Sequence, residues 1–229
     1  MVIQAEALLQ PFFVFGRNGM RKITSLKQQS KRDHRVNVFL DGEYAFSLEK
    51  EVAFRAGLHV GQELTPEETT QLTSQDQRQK CFNAACRFLS YRPRSEQEVR
   101  RRLERQGYDD TFIQPTIARL KELGLVDDAE FARLWVDNRD ELRPRSRRLI
   151  QMELRQKGLS RDIIERATGS VNETEAAYRA AEKKAKSLLA DDYDTFRKRL
   201  AGYLARRGFG YETLASTIER IWKENEHTT

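Results

Sequence analysis

The stretch RPRSRRLIQMELRQKGLSRDIIERAT, from Arg143 to Thr168, sets the architecture of this chain, because a recognisable copy of it lies on either side. The upstream copy begins at Arg92 and reads RPRSEQEVRRRLERQGYDDTFIQPTI. Aligning the copies on Gly107, Gly158 and Gly208 gives offsets of 51 and then 50 residues, by subtraction of these residue numbers. Four columns of apolar residues then appear, namely Val99/Ile150/Leu200, Leu103/Leu154/Leu204, Tyr108/Leu159/Phe209 and Ile113/Ile164/Leu214.

A period of about 50 residues indicates stacked copies of one supersecondary unit, each too small to bury its apolar face alone. Glycine and proline divide each copy into segments with apolar residues at helical spacing, which predicts three helices per repeat. We therefore predict a mainly α protein, with three tandem three-helix repeats behind a small N-terminal β-hairpin/α module. The predicted segments are a flexible extension over 1–20, the α+β module over 21–75, and repeats over 76–126, 127–170 and 171–229.

The N-terminal module has the patterns of a small sheet followed by helices. RVNVFL and EYAFSL both alternate apolar and polar residues, and Asp41-Gly42 between them is a strong hairpin turn. ITSLKQQ is a candidate third strand. The segment EKEVAFRAGL has a helical pattern, and a second helix opens with Thr65 as N-cap, Pro66 at the first position and Glu68 closing a capping box.

Helix-capping residues recur in the repeats. Ser95 with Glu98 predicts a capping box, and Ser160 predicts a cap further along. Pro115 is expected to kink the last helix of the first repeat or to delay its start. Paired aspartates precede helices in all three repeats and are interpreted as caps, namely Asp109/Asp110, Asp127/Asp128 and Asp191/Asp192.

The composition favours an anionic partner. The chain has 41 Lys and Arg against 35 Asp and Glu, a formal charge of +6 and a pI near 9.4. Cys81 and Cys86 are its two cysteines, and their spacing does not place both thiols on one helix face, so neither a disulfide nor a zinc site is expected. No apolar run reaches the length of about 20 residues that spans a bilayer. We expect a reducing, cytoplasmic location.

The basic residues of the middle helices share one phase. At about 100° per residue, Val99 and Leu103 mark the buried side of the first middle helix, so Arg101 and Arg105 point outward. Such a face is often only solvated and ion-paired, but its recurrence in three repeats favours a binding surface for phosphate oxygens or acidic protein groups. The candidate binding residues are Arg143, Arg145, Arg147, Arg148, Arg155, Arg101, Arg105, Lys198 and Arg206.

The remaining conspicuous residues do not assemble into a catalytic pattern. The three histidines, His34, His59 and His227, show no paired metal-ligand spacing, and the chain has no GxxxxGK loop or GxSxG elbow. Trp135 and Trp222 lie on apolar helical faces and are interpreted as core residues. We therefore predict a protein that is not an enzyme and needs no metal or other cofactor.

At the level of family, GLVDDAEFARLWVDNR followed by RPRSRRLIQMELRQKGLS resembles the central signature of the RecX family of bacterial recombination regulators. The flanking repeats resemble that family's first and third units, and KITSLKQQ through DGEYAFSL resembles an N-terminal extension of some members. The resemblance covers residues 20 to 224. Departures are Pro115, the long start before Met20, and DYDT in place of RPRS in the third repeat.

The resemblance implies an elongated, curved array of helices that binds the RecA recombinase filament on single-stranded DNA. It further implies a monomer that inhibits ATP turnover, filament extension and strand exchange, with no membrane partner. Two other hypotheses remain at this point. One is a stand-alone DNA-binding protein of tandem helix-turn-helix type, and the other is a metal-dependent nuclease that uses clustered carboxylates.

Overall fold

The computed structural model describes residues 19–29 and 32–226, which divide by their contacts into two compact units at Ala84/Ala85. The predicted extension over 1–20 lies almost wholly outside the described residues, as does His227. Within the described residues, no helix combines the length and apolarity that a membrane span requires. The first unit contains strands and helices, and the second is helical.

The first unit is built on a four-stranded antiparallel sheet. Its strand order is β3-β2-β1-β4, so β3 and β4 form the edges. Asp41 and Gly42 both have positive φ, at 51° and 87°, which confirms the predicted hairpin turn. The two-residue strand β4, which pairs with β1, was not predicted from the sequence. The strands are β1 (Arg21–Gln29), β2 (Arg32–Leu40), β3 (Glu43–Glu49) and β4 (Glu63–Leu64).

Two helices complete this part of the chain. Helix α1 covers Lys50–Arg55, and α2 runs without interruption over Pro66–Leu89. The sequence pattern suggested separate helical segments within the α2 range, but its polar residues between Gln71 and Lys80 continue the helix. The predicted capping box at the start of α2 is confirmed, since Thr65 and Glu68 exchange hydrogen bonds of 2.8 and 3.1 Å.

A buried ionic cluster joins the sheet to α2 within the first unit. The guanidinium of Arg35 on β2 contacts the carboxylates of Glu49 at 3.0 Å and Asp76 at 3.3 Å. Asp76 also accepts a 2.7 Å hydrogen bond from the backbone N–H of Glu49. Because all three side chains are removed from water, each charge depends on the others to remain buried.

The second unit contains the C-terminal end of α2 and eight further helices among the described residues. Most of the predicted caps are present, including the Ser95/Glu98 capping box and the Ser160 cap. The helices are α3 (Glu96–Glu104), α4 (Asp110–Glu122), α5 (Asp128–Leu142), α6 (Arg147–Gln156), α7 (Arg161–Thr168), α8 (Glu173–Ala185), α9 (Tyr193–Ala205) and α10 (Tyr211–Glu226).

The apolar columns of the repeat form the cores. The two columns of the middle helices α3, α6 and α9 are almost completely buried, with exposures of 0 to 2%. These helices therefore present the same face inward in each repeat, as the sequence spacing predicted. The columns with these exposures are Val99/Ile150/Leu200 and Leu103/Leu154/Leu204.

Successive repeats are joined at equivalent positions by a hydrogen bond from a serine to a backbone carbonyl. The hydroxyl of Ser95, before α3, donates a 2.7 Å hydrogen bond to the backbone carbonyl of Lys157, at the end of α6. Ser146, at the equivalent position before α6, donates its backbone N–H to the carbonyl of Arg207, at the end of α9, over 3.0 Å. The helix start of one repeat thus lies on the helix end of the next.

A carboxylate from the next repeat caps each of these helix starts. Asp128, the first residue of α5, accepts the backbone N–H of Glu96 at 2.8 Å. Glu173, the first residue of α8, accepts the backbone N–H of Arg147 at 2.9 Å. Since the first N–H groups of a helix have no intrahelical acceptor, each repeat depends on its successor to satisfy one of them.

The glycine used to align the repeats makes this close approach feasible. A Cβ added at Gly158 would lie 2.5 Å from the Cβ of Gln97, and one added at Gly208 would lie 2.5 Å from the Oγ of Ser146. At Gly107, which has no repeat before it, an added Cβ would meet nothing within 4 Å. We call these contacts the repeat joints, which are Ser95 with Lys157 and Gln97 with Gly158 in the first, and Ser146 with Arg207 and Gly208 in the second.

Two expectations need correction or refinement. Helix α4 begins at Asp110, so Pro115 lies inside it and does not delay its start. Asp127 and Asp192 cap their own helices, whereas Asp109 makes no side-chain capping bond. The other aspartates of the three pairs have different partners, which are Glu96 for Asp128, Arg100 for Asp110 and Arg199 for Asp191.

The repeat joint predicts unequal effects of two chemically identical substitutions. Gly107 and Gly158 have φ of +83° and +84°, so replacement by alanine carries the same backbone strain at both positions. Gly158→Ala should cost about 1–3 kcal/mol more free energy of unfolding than Gly107→Ala, because its methyl group overpacks the joint. Urea denaturation of both variants would measure this difference, and equal losses would contradict the described joint.

Candidate partner-binding surface

The exposed side of the middle helices carries most of the candidate basic residues. Arg101, Arg148, Arg155, Lys198 and Arg206 are exposed, and none has an acidic partner among the described residues. Arg105 is also exposed, and its Nε donates to the carbonyl of Arg101 at 3.1 Å within α3. The predicted outward orientation is therefore correct, and these cations are available to an external anion.

Arg147 has a different environment. Its guanidinium donates to the backbone carbonyl of Val171 at 2.7 Å and approaches that of Gly169 at 3.4 Å. These contacts connect the start of α6 to the segment between α7 and α8. Arg147 therefore has a structural contact in addition to an exposed surface.

Arg145 belongs to a half-buried ionic cluster. Glu153 on α6 is 9% exposed and forms an ion pair with Arg145. The same carboxylate accepts hydrogen bonds from Nε of Arg139 and from Nε1 of Trp135, both at 2.8 Å. Trp135 is thus partly buried, as its apolar helical face predicted, and it also contributes a polar contact.

Positive charge accumulates around this cluster. Burial lowers the pKa of the Arg145 guanidinium, and the charges of Arg139, Arg207 and Arg143 lower it further. Arg143 is exposed, and the guanidinium carbon of Arg207 lies 3.6 Å from the ring centroid of Tyr203. Two guanidinium groups therefore share the Glu153 carboxylate and the charges of two more act on Arg145, so the excess positive charge attracts an anion.

Sequence reasoning missed two contributors to this accumulation. Arg139 occurs near the end of α5 and Arg207 at the turn after α9, so neither is on the face of a middle helix. The repeat joint brings Arg207 close to the segment before α6, because Ser146 bonds to the Arg207 carbonyl. The sequence signal was the basic residue before the aligning glycine, which is Lys157 in the second repeat and Arg207 in the third.

A second carboxylate connects charged residues of the first and second repeats. Glu98 on α3 accepts hydrogen bonds from Arg92 at 3.0 Å and from Lys157 at 2.8 Å. Burial raises the pKa of Glu98, but these two hydrogen bonds and the charges behind them outweigh burial and lower it below its usual value. Lys157 also lies over the Trp135 ring, 5.2 Å from the centroid. The network therefore extends from the first repeat into the second.

Two further apolar residues differ in burial. Met152 on α6 is 46% exposed. Trp222 packs against the core of the third repeat, where its ring lies 5.0 Å from that of Phe196.

Comparison with known proteins defines the class of this chain. In chain order, it matches the regulatory protein RecX N-terminal domain over residues 21–65, and the first, second and third RecX three-helix domains over 81–120, 127–167 and 172–218. The regulatory protein RecX of Clostridium botulinum is 35% identical over 205 residues, which cover 87% of this chain and 96% of that protein. The chain belongs to the RecX family of regulatory proteins.

Other relatives agree with this assignment. The regulatory protein RecX of Bacillus subtilis is 32% identical, over 90% of this chain and 80% of that protein. A crystal structure of a regulatory protein RecX has the same fold, with a TM-score of 0.67 over 87% of this chain and 99% of that chain at 24% identity. RecX from Lactobacillus salivarius gives a TM-score of 0.56 over 63% of this chain and 96% of that chain at 26% identity. The Clostridium and Bacillus relatives and the first of these structures are named as regulatory proteins and not as enzymes.

Removing the Glu153 carboxylate should destabilise the second repeat. Glu153→Gln leaves Arg139 and Arg145 without their anion in a half-buried site, so we expect a loss of about 2–4 kcal/mol in the free energy of unfolding. Glu165→Gln is the matched control, because the Glu165 pair with Arg161 is exposed and should contribute nothing measurable. Equal unfolding curves for the two variants would contradict the cluster.

The contribution of Glu98 should depend on pH. Because its pKa is lowered on folding, its ion pairs stabilise the protein above its unfolded pKa of about 4.3, and this contribution is lost as the pH falls through the folded pKa. The difference in free energy of unfolding between the native protein and Glu98→Gln should therefore be greatest at neutral pH and shrink below about pH 4. A difference that grows with acidification would contradict the network.

Proposed function

We propose that this protein binds the RecA recombinase filament on single-stranded DNA and inhibits its ATPase, filament extension and strand exchange. The proposal rests on membership of the RecX family together with the exposed, unpaired cations on the middle helices. It includes no catalytic step by this chain itself. The proposal also implies a monomer in the cytoplasm, where a recombinase filament forms.

The repeat architecture supports a filament as the partner. A filament presents the same subunit surface at regular intervals, and three related helical units can present similar charges to successive subunits. Several individually weak contacts then act together, because each one raises the effective concentration of the next. Arg148 in the second repeat and Lys198 at the equivalent position of the third illustrate this recurrence.

The chemistry of the surface supports acidic protein groups or DNA phosphates as the contacts. Guanidinium groups bind carboxylate and phosphate oxygens in a bidentate way, and cations without internal partners lose no ion pair on binding. Inhibition follows when the bound state of the filament is one that does not turn over ATP. A protein that prefers that state shifts the filament toward it by its difference in affinity.

The direct test is DNA-dependent ATP hydrolysis by a bacterial RecA recombinase on single-stranded DNA, titrated with this protein. Loss of turnover well below one molecule per DNA-binding site supports a filament regulator. Loss only when bare DNA would be saturated indicates competition for the strand, as expected of a stand-alone DNA-binding protein. Unchanged turnover would refute the proposal.

A charge-reversal variant tests the surface. Arg148→Glu/Arg155→Glu should raise the concentration for half-inhibition at least about tenfold, since two favourable charge contacts become repulsive. Arg78→Glu/Arg87→Glu is the control, because these two arginines on α2 are also exposed and have no acidic partner within the part of the chain that the structure describes. Circular dichroism should give the same helical content for both variants. Unaltered inhibition by the first variant would remove these arginines from the surface.

A further inference from the structure

Equivalent arginines in the first and second repeats have different environments. Arg94 and Arg145 are the third residues of the two RPRS-type motifs, and 51 residues separate them. Arg145 has the carboxylate of Glu153 as its partner. The residue of the first repeat that aligns with Glu153 is Arg102, so Arg94 has a second cation where Arg145 has an anion.

Arg94 consequently lacks an internal acceptor. Its Nε is buried and has no hydrogen-bond partner among the described residues. The guanidinium carbon of Arg94 lies 4.1 Å from the ring centroid of Phe88, and that of Arg102 lies 5.6 Å from the same centroid. Burial lowers the pKa of Arg94, and the Arg92 charge adds to this effect while Glu98 opposes it. Glu98 itself is already bonded to Arg92 and Lys157.

A largely apolar groove adjoins this arginine. Arg94 lines a depression of about 550 Å³ together with Tyr91, Leu125 and Leu134. These three apolar residues are 83%, 49% and 39% exposed, which makes the groove a contiguous accessible patch. All of its lining residues belong to the second unit of the chain.

We infer that this groove binds a peptide segment of a protein partner, with an Asp or Glu carboxylate on Arg94 and a neighbouring apolar side chain against Leu125 and Leu134. The charge supports this occupant, since Arg102 stands where the second repeat has the carboxylate of Glu153, and a carboxylate from the partner would supply the anion that Arg94 lacks. Arginine with flanking aromatic and aliphatic groups is also typical of binding hot spots.

The rim of the groove disfavours a nucleic acid as its occupant. Asp127 and Glu130 line the same depression. A continuous phosphate backbone would bring several negative charges close to these carboxylates. A peptide with a single carboxylate and apolar neighbours can reach Arg94 without carrying further negative charges past them. The inference goes beyond the proposed function, because it concerns a separate surface and makes no assumption about RecA.

Peptide binding tests the inference with a variant taken from the protein itself. The probes are fluorescein-labelled nine-residue peptides of Gly and Ser that carry one acidic residue, Asp or Glu, and one apolar residue, Leu or Phe, one to four positions away. Each acidic peptide is matched by a control peptide with Asn or Gln at the acidic position. Fluorescence anisotropy should show acid-dependent binding to the native protein. Arg102→Glu, which introduces the carboxylate of the second repeat, should weaken it at least about tenfold.

Arg197→Glu is the charge-matched control, because Arg197 is an exposed arginine of α9 in the third repeat. It should leave peptide affinity unchanged. Failure of every acidic peptide to bind better than its amide counterpart would overturn the inference, and so would equal losses in Arg102→Glu and Arg197→Glu. The inference would also be overturned if a single-stranded oligonucleotide displaced the peptide from the native protein but not from Arg102→Glu. That outcome would favour DNA as the occupant of this groove.

A stability comparison tests the unsatisfied state of Arg94 independently of any probe. Arg94→Leu should leave the urea midpoint of the free protein unchanged or raise it, because it removes a buried donor without an acceptor. Arg145→Leu should lower the midpoint, because it removes a partner of Glu153. A greater loss in Arg94→Leu than in Arg145→Leu would show that Arg94 already has an internal partner, and would overturn the inference. These measurements do not depend on inhibition of RecA, so the two proposals can fail separately.

Discussion

The helical part of this protein depends on the repeat joint, in which a buried serine before one middle helix contacts the helix end of the next repeat. Ser95 and Ser146 are 0 and 1% exposed, and the glycine of the following repeat lies against Gln97 in the first joint and against Ser146 in the second. A Cβ on that glycine would occupy the space that the preceding helix start already fills. The joint is therefore a steric constraint as well as a hydrogen bond, and it fixes the distance between the repeats.

The joint also explains why the three repeats differ at their ends. Gly107 has open space around it because no repeat precedes the first. The third repeat lacks the RPRS motif that forms the joint. Its middle helix begins at Tyr193, and the position aligned with Ser146 is occupied by Phe196, which is 0% exposed. A polar joint residue of the second repeat is thus replaced by a core residue in the third.

The repeat joint also determines where the charged side chains lie. By orienting the middle helices alike, it leaves Arg148 and Lys198 on the exposed side of their repeats, and it brings Arg207 to the arginines that precede α6. The same motif can then serve two purposes. In the second repeat Arg145 is neutralised by Glu153, whereas in the first repeat Arg94 keeps a buried donor without an acceptor. An unsatisfied buried group costs stability, so its presence is better explained by binding than by folding.

The sequence by itself determined the number of repeats, the helices within them and their buried faces, because apolar spacing and capping residues act over short distances. It also indicated which arginines of the middle helices are exposed. Only the tertiary structure decided how charges are paired, since Glu153 draws partners from α5 and from the segment before α6. Likewise the closeness of Arg207 to Arg145, and the contrast between Arg94 and Arg145, depend on contacts between residues far apart in the chain. Periodicity predicts which face a side chain is on, but not which partner it meets there.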